Sequence, residues 1–395
     1  MKNLGHYLFC IFICLLIAIP LNGVDSLIGF NIHVLLLGAS FLLWLATNAT
    51  FNKLLKKYVV AKTFFFLAFL IASYKFKETN YYGVSMGYVQ EILIIILLCQ
   101  ASKEKECIHY FQAFVLGALL NGILIFFGSY LGLQILHWGD VGEERMTILG
   151  RDPNEMAMVH CFAIAMSLYL MRINKTKVWR ILNAATAILC VASILFTGSR
   201  TATIAVVLLI LINFLIARKK IGGFASGLVV TLLLMFSVYY VSVNYLDDTI
   251  LERYTTMGSE IEEGTMANRT LIWNDCINAF LNADAFNMLF GYGCNTTPLF
   301  TLRGYDAHNV FLKVLVEYGI VGEVLFLYLW YFFIKSAMQL KERDDKFLTL
   351  SLLAMIFISF LTLSWMYNIL VWIVLILIHF KINIFGQVKH KQKQY

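Results

Sequence analysis

Charge is scarce in this sequence. Of its 395 residues only 14% are Asp, Glu, Lys or Arg and only three are proline, while 60% are hydrophobic and 15% aromatic. Soluble domains carry about 25% charged residues, so this composition excludes an ordinary soluble fold. A cleavable leader is not expected either. Lys2 precedes an apolar core, but "IAIPLNG" offers no small-x-small cleavage site, so the first segment is retained as a helix. No internal repeat and no nucleotide-binding loop are present. The eight cysteines form no metal or redox motif. Cys276 and Cys294 share one loop, yet nothing in their spacing demands a disulfide.

What remains is apolar length. Runs of about 17 to 25 residues, enough to cross a bilayer core of roughly 30 Å, recur from end to end. About twelve are expected, near 5–21, 27–47, 58–74, 82–101, 108–136, 154–172, 179–197, 201–217, 223–245, 309–334, 347–364 and 367–382. The fold class is therefore an all-α polytopic membrane protein. It divides into a transmembrane block 1–245, a long and partly helical extracytoplasmic loop 246–308, and a second transmembrane block with a basic tail, 309–395.

Basic residues are retained on the cytoplasmic side of membrane helices. With the N-terminus inside, 22 of the 31 Lys and Arg fall on inner segments and 8 on outer ones, and Lys313 lies within a helix. Both termini are then cytoplasmic, and the formal charge of +7 reflects topology rather than a nucleic-acid surface. The outer face is short of lysine, holding Lys75 and Lys77 alone. It carries six of the ten arginines: Arg145, Arg151, Arg200, Arg253, Arg269 and Arg303. An arginine fork grips phosphate or carboxylate oxygens in pairs and keeps its charge when partly desolvated. Pairing with the 16 outer acidic residues is the plainer use of these arginines.

Long ordered loops tend to carry function, which directs attention to 246–308 and the shorter 137–153. Within the former, Trp273, Cys276, Ile277, Phe280 and Leu281 follow an amphipathic helical spacing with Asn268 placed to cap it. Arg269 falls on that apolar face, either snorkelling to the interface or lining a site under the helix. In "GRDPNEMA", Asp152, Pro153 and Glu155 read as a capping box after Arg151. "FTGSRTA" leaves about three residues to turn between two helices, with Ser199 as the expected cap and Arg200 in the first turn. A cation beside the positive end of a helix is unfavourable unless an anion binds there, so Arg200 outlines a phosphate site.

"YDAHNVFLKVLVEYG" returns the chain to the membrane, with Asp306 or Asn309 capping the helix and His308 at its outer mouth. His308 is the candidate acid or base. Lys313 and Glu317, four apart, share a face and neutralise each other in the membrane, with Glu91 as a competing partner for Lys313. Asp247 and Asp248 are more simply solvated than metal-binding, and no metal or cofactor is expected.

"GRDPNEMA", "LFTGSRTA", "ERY" at 252–254, "NRTLIW" followed by "FGYG" at 290–293, and "AHNVFLKVLVEYGIVG" occur in the order found in the O-antigen ligase and polymerase superfamily, which the chain resembles over residues 150–325. Lys313 departs from that family, which more often has an uncharged residue there. The resemblance implies a GT-C-like membrane fold and a metal-independent glycosyltransferase of the bacterial cytoplasmic membrane. Its site would face outward and act on glycans linked through pyrophosphate to a polyprenyl lipid. It also implies that Arg200 and Arg269 bind the pyrophosphate and that His308 serves catalysis. Arg151, Arg253, Arg303 and Asn309 are the further substrate-binding candidates. Tyr254 and Trp273, with His137, Trp138, Tyr292 and Tyr305, are suited to stacking on sugar rings. Donor and acceptor would both be lipid-linked oligosaccharides for a polymerase, with a chain-length regulator and a flippase as candidate partners. The alternatives are a ligase acting on lipid A-core, a lipid-linked-sugar flippase and a non-catalytic scaffold. A flippase would place charge near the midplane, whereas this chain gathers it at one surface.

Overall fold

A computed structural model of the chain describes residues 2–19, 32–47, 81–98, 104–127, 147–148, 151–174, 176–217, 240, 252, 269–302, 304–365 and 368–380. Its regular elements are all helical among these residues: α1 Lys2–Ala18, α2 Ile32–Ala46, α3 Tyr81–Leu98, α4 Glu104–Phe127, α5 Pro153–Ile173, α6 Lys177–Phe196, α7 Arg200–Ala217, α8 Arg269–Leu281, α9 Ala285–Phe290, a 3-10 turn at Thr297–Leu299, α10 Val310–Met338, α11 Arg343–Thr362 and α12 Ile369–Phe380. The expected apolar runs coincide with helices, except those at 58–74 and 223–245, which lie outside the described residues. Among the described residues, four helices are long and apolar enough to cross a membrane: Cys107–Phe127, Pro153–Ile173, Lys177–Phe196 and Arg343–Thr362. These are helices with apolar side chains on every side. One face packs inward, and residues such as Ile181 and Ile188 of α6 or Leu325 and Tyr328 of α10 stay exposed, as suits a lipid-covered bundle.

α5 is the hub. It packs against α4, α6, α7 and α11, and its first four turns are buried almost throughout. The expected cap at its start is present, since Asp152 Oδ1 accepts from the backbone N–H of Asn154 at 2.7 Å and Glu155 at 3.1 Å. Glu155 does not reach back to complete the box. Its Oε1 accepts from Asn368 Nδ2 at 2.8 Å, which ties α5 to the link between α11 and α12. Arg151 is turned the other way: Nη1 donates to Ile17 O and Nη2 to Leu16 O, each at 3.0 Å. Asn121 Nδ2 donates to Ala18 O at 2.8 Å, so three of the orphan carbonyls that end α1 are satisfied by side chains. Asn121 Oδ1 can only accept, so His160 Nε2 carries the hydrogen in their 2.9 Å contact.

α10 is not continuous. At Gly319 the backbone takes φ 64 and ψ −164, which breaks the ladder and frees the carbonyls of Val316 and Glu317. The segment after α9 takes them up, with Tyr292 N–H donating to Val316 O at 3.0 Å and Gly293 N–H to Glu317 O at 2.9 Å. Backbone meets backbone here. A Cβ on Gly319 would lie 2.5 Å from Leu289 C, and one on Gly291 would lie 2.2 Å from Glu317 C. The glycines of "FGYG" and "VEYG" are therefore two halves of one joint that fixes the segment after α9 to α10.

Candidate functional site

His308 precedes α10 in the left-handed region, with φ 47. For a residue other than glycine this costs on the order of 1–3 kcal/mol and persists only where neighbours impose it. The neighbours are identifiable. His308 N–H donates to Ser364 Oγ at 2.9 Å, from the link between α11 and α12. Trp273 of α8 donates its indole N–H to Ala307 O at 3.1 Å, and Asp306 Oδ1 accepts from Ala307 N–H at 2.8 Å. Asn309, not Asp306, caps α10, its Oδ1 accepting from Phe311 N–H at 3.0 Å and Leu312 N–H at 3.3 Å. Trp273 and Asn309 thus use these polar atoms to hold the chain on either side of His308.

Asp306 is engaged elsewhere. Lys313 Nζ lies 2.5 Å from Asp306 Oδ2 and 3.7 Å from Glu317 Oε1. Glu317 Oε1 also accepts from Thr297 Oγ1 at 2.8 Å. The i, i+4 pair read from the sequence is present and is fully buried, at 2% and 0% exposure. The shorter contact runs to Asp306, which lies before the start of α10, so the path of the chain through His308 sets it rather than helical spacing. Burial without partners would make either charge costly; here the run Asp306, Lys313, Glu317, Thr297 joins the mouth of the site to the joint below it.

The imidazole of His308 is pushed below its ordinary value of 6.5, first by burial and next by the Arg269 guanidinium, against the opposing carboxylates of Asp306 and Asp152. It is neutral at neutral pH and able to accept a proton. Arg269 and Asp152, the N-cap of α5, thus lie within electrostatic reach of the His308 imidazole. Asp152 is a member of this group that the sequence showed only as a cap. Ser364 gave no sequence signal, because its tie to His308 spans 56 positions.

Both candidate arginines open helices, Arg200 as the first residue of α7 and Arg269 as the first of α8. A cation there opposes the helix dipole, an arrangement that suits an anion lying between. The turn into α7 has the expected length, Thr197 to Ser199, with Gly198 at φ 62. Its cap differs from expectation. Thr197 Oγ1 accepts from Ser199 N–H at 3.3 Å, and the buried Ser199 Oγ has no hydrogen-bond partner among the described residues. α7 is set low against α5, since Cys161 Sγ donates to Ala202 O at 3.5 Å. Cys161 is about 13 Å down α5 from Asp152 at 1.5 Å per residue, so α7 begins beneath the level of His308.

α8 turns a different face inward than the spacing predicted. Ile272 and Cys276 are buried against Ala307 and Val316, while Ile277 and Leu281 are exposed. The small Ala307 opens room for Ile272, and Trp273 rotates to the flank where its N–H meets a carbonyl. Cys276 and Cys294 are not joined in a disulfide, and burial pushes the Cys276 thiol up to about 12, beyond any nucleophilic role at neutral pH. Tyr292 packs on Phe300 with ring centroids 4.4 Å apart, and Tyr305 is half exposed. Arg253, Tyr254, Arg303, Asn268, His137, Trp138, Asp247 and Asp248 lie outside the described residues.

A family model described as O-antigen ligase matches residues 185–327. Over this segment the chain is similar to the O-antigen ligase family. The match runs from within α6 to beyond the break in α10 and includes Arg200, Arg269, Trp273, His308, Asn309, Lys313 and Glu317. The O-antigen ligase family comprises glycosyltransferase-like ligases and polymerases. Arg151 and Ser364 fall outside the matched segment. No curated protein matches the chain at a significant level.

Proposed function

We propose that the chain is a surface-polysaccharide polymerase that joins polyprenyl-pyrophosphate-linked oligosaccharide repeats at the outer face of a bacterial cytoplasmic membrane. The observation that carries this reading is the neutral His308 beside Arg269 at the mouth of an apolar bundle. A hydroxyl of the acceptor glycan attacks the anomeric carbon of the donor. His308 accepts the hydroxyl proton, the new glycosidic bond forms, and the bond to the pyrophosphate oxygen breaks with its electron pair leaving on the lipid pyrophosphate. Arg200 and Arg269, at two helix starts, stabilise the charge that grows on that leaving group. Arg253, Arg303, Tyr254 and the free faces of Trp273 and Tyr305 contribute to binding the two glycans. Arg151 is assigned the clasp on α1 in this reading.

Similarity to the O-antigen ligase family favours a second reading, transfer of finished polymer to lipid A-core. The polymerase is preferred because the outer face is net acidic, 8 basic against 16 acidic residues, and has no lysine-rich patch to grip a phosphorylated core. Lipid-linked glycans from a deletion strain decide between them. Loss of a polymerase leaves single lipid-linked repeats, which a separate ligase passes on as one-unit caps. Long polymer stranded on the carrier would overturn the polymerase assignment in favour of the ligase.

A further inference from the structure

We infer that Ser364 is a positioning residue that holds His308 in its reactive conformation. The inference rests on the reading of His308 as the base.

Three observations converge on Ser364. The first is the conformation itself, since φ 47 at a histidine requires an outside restraint. The second is the bond from His308 N–H to Ser364 Oγ, which acts on the residue's own backbone, whereas Trp273 and Asn309 act on its neighbours or on α10. The third is that Ser364 stands on a braced support. Leu363 N–H closes the end of α11 on Ser359 O at 2.7 Å. Four residues after Ser364, Asn368 caps α12 through Leu370 N–H at 3.0 Å and donates to Glu155 of α5 at 2.8 Å. Trp365 is buried and packs on Phe162 of α5 with centroids 6.2 Å apart. The link is thus tied to the helix whose N-cap, Asp152, bears on the His308 imidazole. With Ser364 in place, the ring is referenced to α5, and with it to Asp152, rather than to α10 alone. An alanine at 364 keeps the packing and removes the acceptor, so His308 can leave the left-handed region and carry its ring away from the acceptor hydroxyl. Misplacement on the order of 1 Å costs about 100-fold in rate.

The test uses the full chain, purified and supplied with a polyprenyl-pyrophosphate oligosaccharide as donor and acceptor. Ser364→Ala is expected to lower kcat by ~10- to 100-fold with the donor KM unchanged. The acid limb of its kcat/KM profile should move to higher pH as the imidazole relaxes toward solvent. Ser364→Thr, which keeps the hydroxyl, should restore most of the turnover and the limb. Where Ser364→Ala does not accumulate as folded protein, Ser364→Cys, with sulfur as a weak acceptor, replaces it with the same expected split. Wild-type kcat and limb in Ser364→Ala, alongside an inactive His308→Ala, would overturn the positioning role and leave the base intact. Equal loss in the Ala and Thr variants with no movement of the limb would also overturn it, as packing alone. Full activity in His308→Ala removes the base reading itself, and this inference with it.

Discussion

His308 combines three properties that rarely coincide at one residue: a left-handed backbone, a half-buried imidazole and an arginine close enough to disfavour its charge. Removing it as His308→Ala should lower turnover by about 10²–10⁴, the usual worth of a general base, while donor binding survives. The sign of its pH dependence follows from the direction of the shift. Burial and Arg269 both disfavour the imidazolium, so the base stays competent below the ordinary 6.5 and activity falls only at lower pH. Arg269→Gln removes one of those two causes, so its remaining activity should lose competence at higher pH than wild type. A limb that stays put would separate Arg269 from His308. For the leaving group, Arg200→Lys and Arg269→Lys should each cost about 10²-fold in kcat although charge is kept, because an ammonium cannot fork across two phosphate oxygens. Near-wild-type rates in a purified assay would remove the clamp.

At the scale of elements, the joint between the 291–293 segment and α10 decides where the site sits. Gly291 faces the backbone of Glu317 and Tyr318, and Gly319 that of Leu289 and Gly291, so Gly319→Ala must both strain φ 64 and push the segment at Leu289 and Gly291 away. We expect an accumulation and thermal-stability defect larger than the roughly 1 kcal/mol usual for alanine in place of helical glycine. Normal melting would show that the joint yields. Glu317→Gln leaves Lys313 buried with its ion pair to Asp306 still in place. Breaking a buried pair costs about 3–5 kcal/mol, and the surviving partner reduces that. Thermal stability should therefore fall while the donor KM of the folded fraction holds; a changed KM at full stability would assign Glu317 to the substrate.

The whole molecule is read by its orientation. If the site faces outward, single cysteines placed in 246–308 or beside Asp152 label from the outer side, and those in the C-terminal tail only after permeabilisation. Labelling of 246–308 from the cytoplasm would remove the proposed site. At this scale the sequence was most legible, because the cost of burying polar backbone in lipid imposes long helices that any hydropathy pattern displays. The helix starts at Asp152, Arg200 and Arg269 were legible for a related reason, since capping chemistry acts over three or four residues. Legibility failed where contacts are distant. The rotation of α8 depends on Ala307, some thirty residues on, and the bond between Ser364 and His308 has no local trace.

Composition and local pattern determined the class of the protein, the helices and the residue types able to handle a pyrophosphate and a proton. They also indicated the pairing of Lys313 with Glu317, because four residues on a helix make neighbours whatever lies around them. Only the tertiary structure decided the duties of those residues. It gave Arg151's terminal nitrogens to the end of α1, Asn309 to the cap of α10 and Trp273's N–H to Ala307. It also brought Arg269, Asp152 and Ser364 to His308 from three separate parts of the chain. The physical reason is range: capping and periodicity act within a few residues along the chain, whereas burial, charge and a donor's choice of acceptor depend on which elements packing has brought side by side.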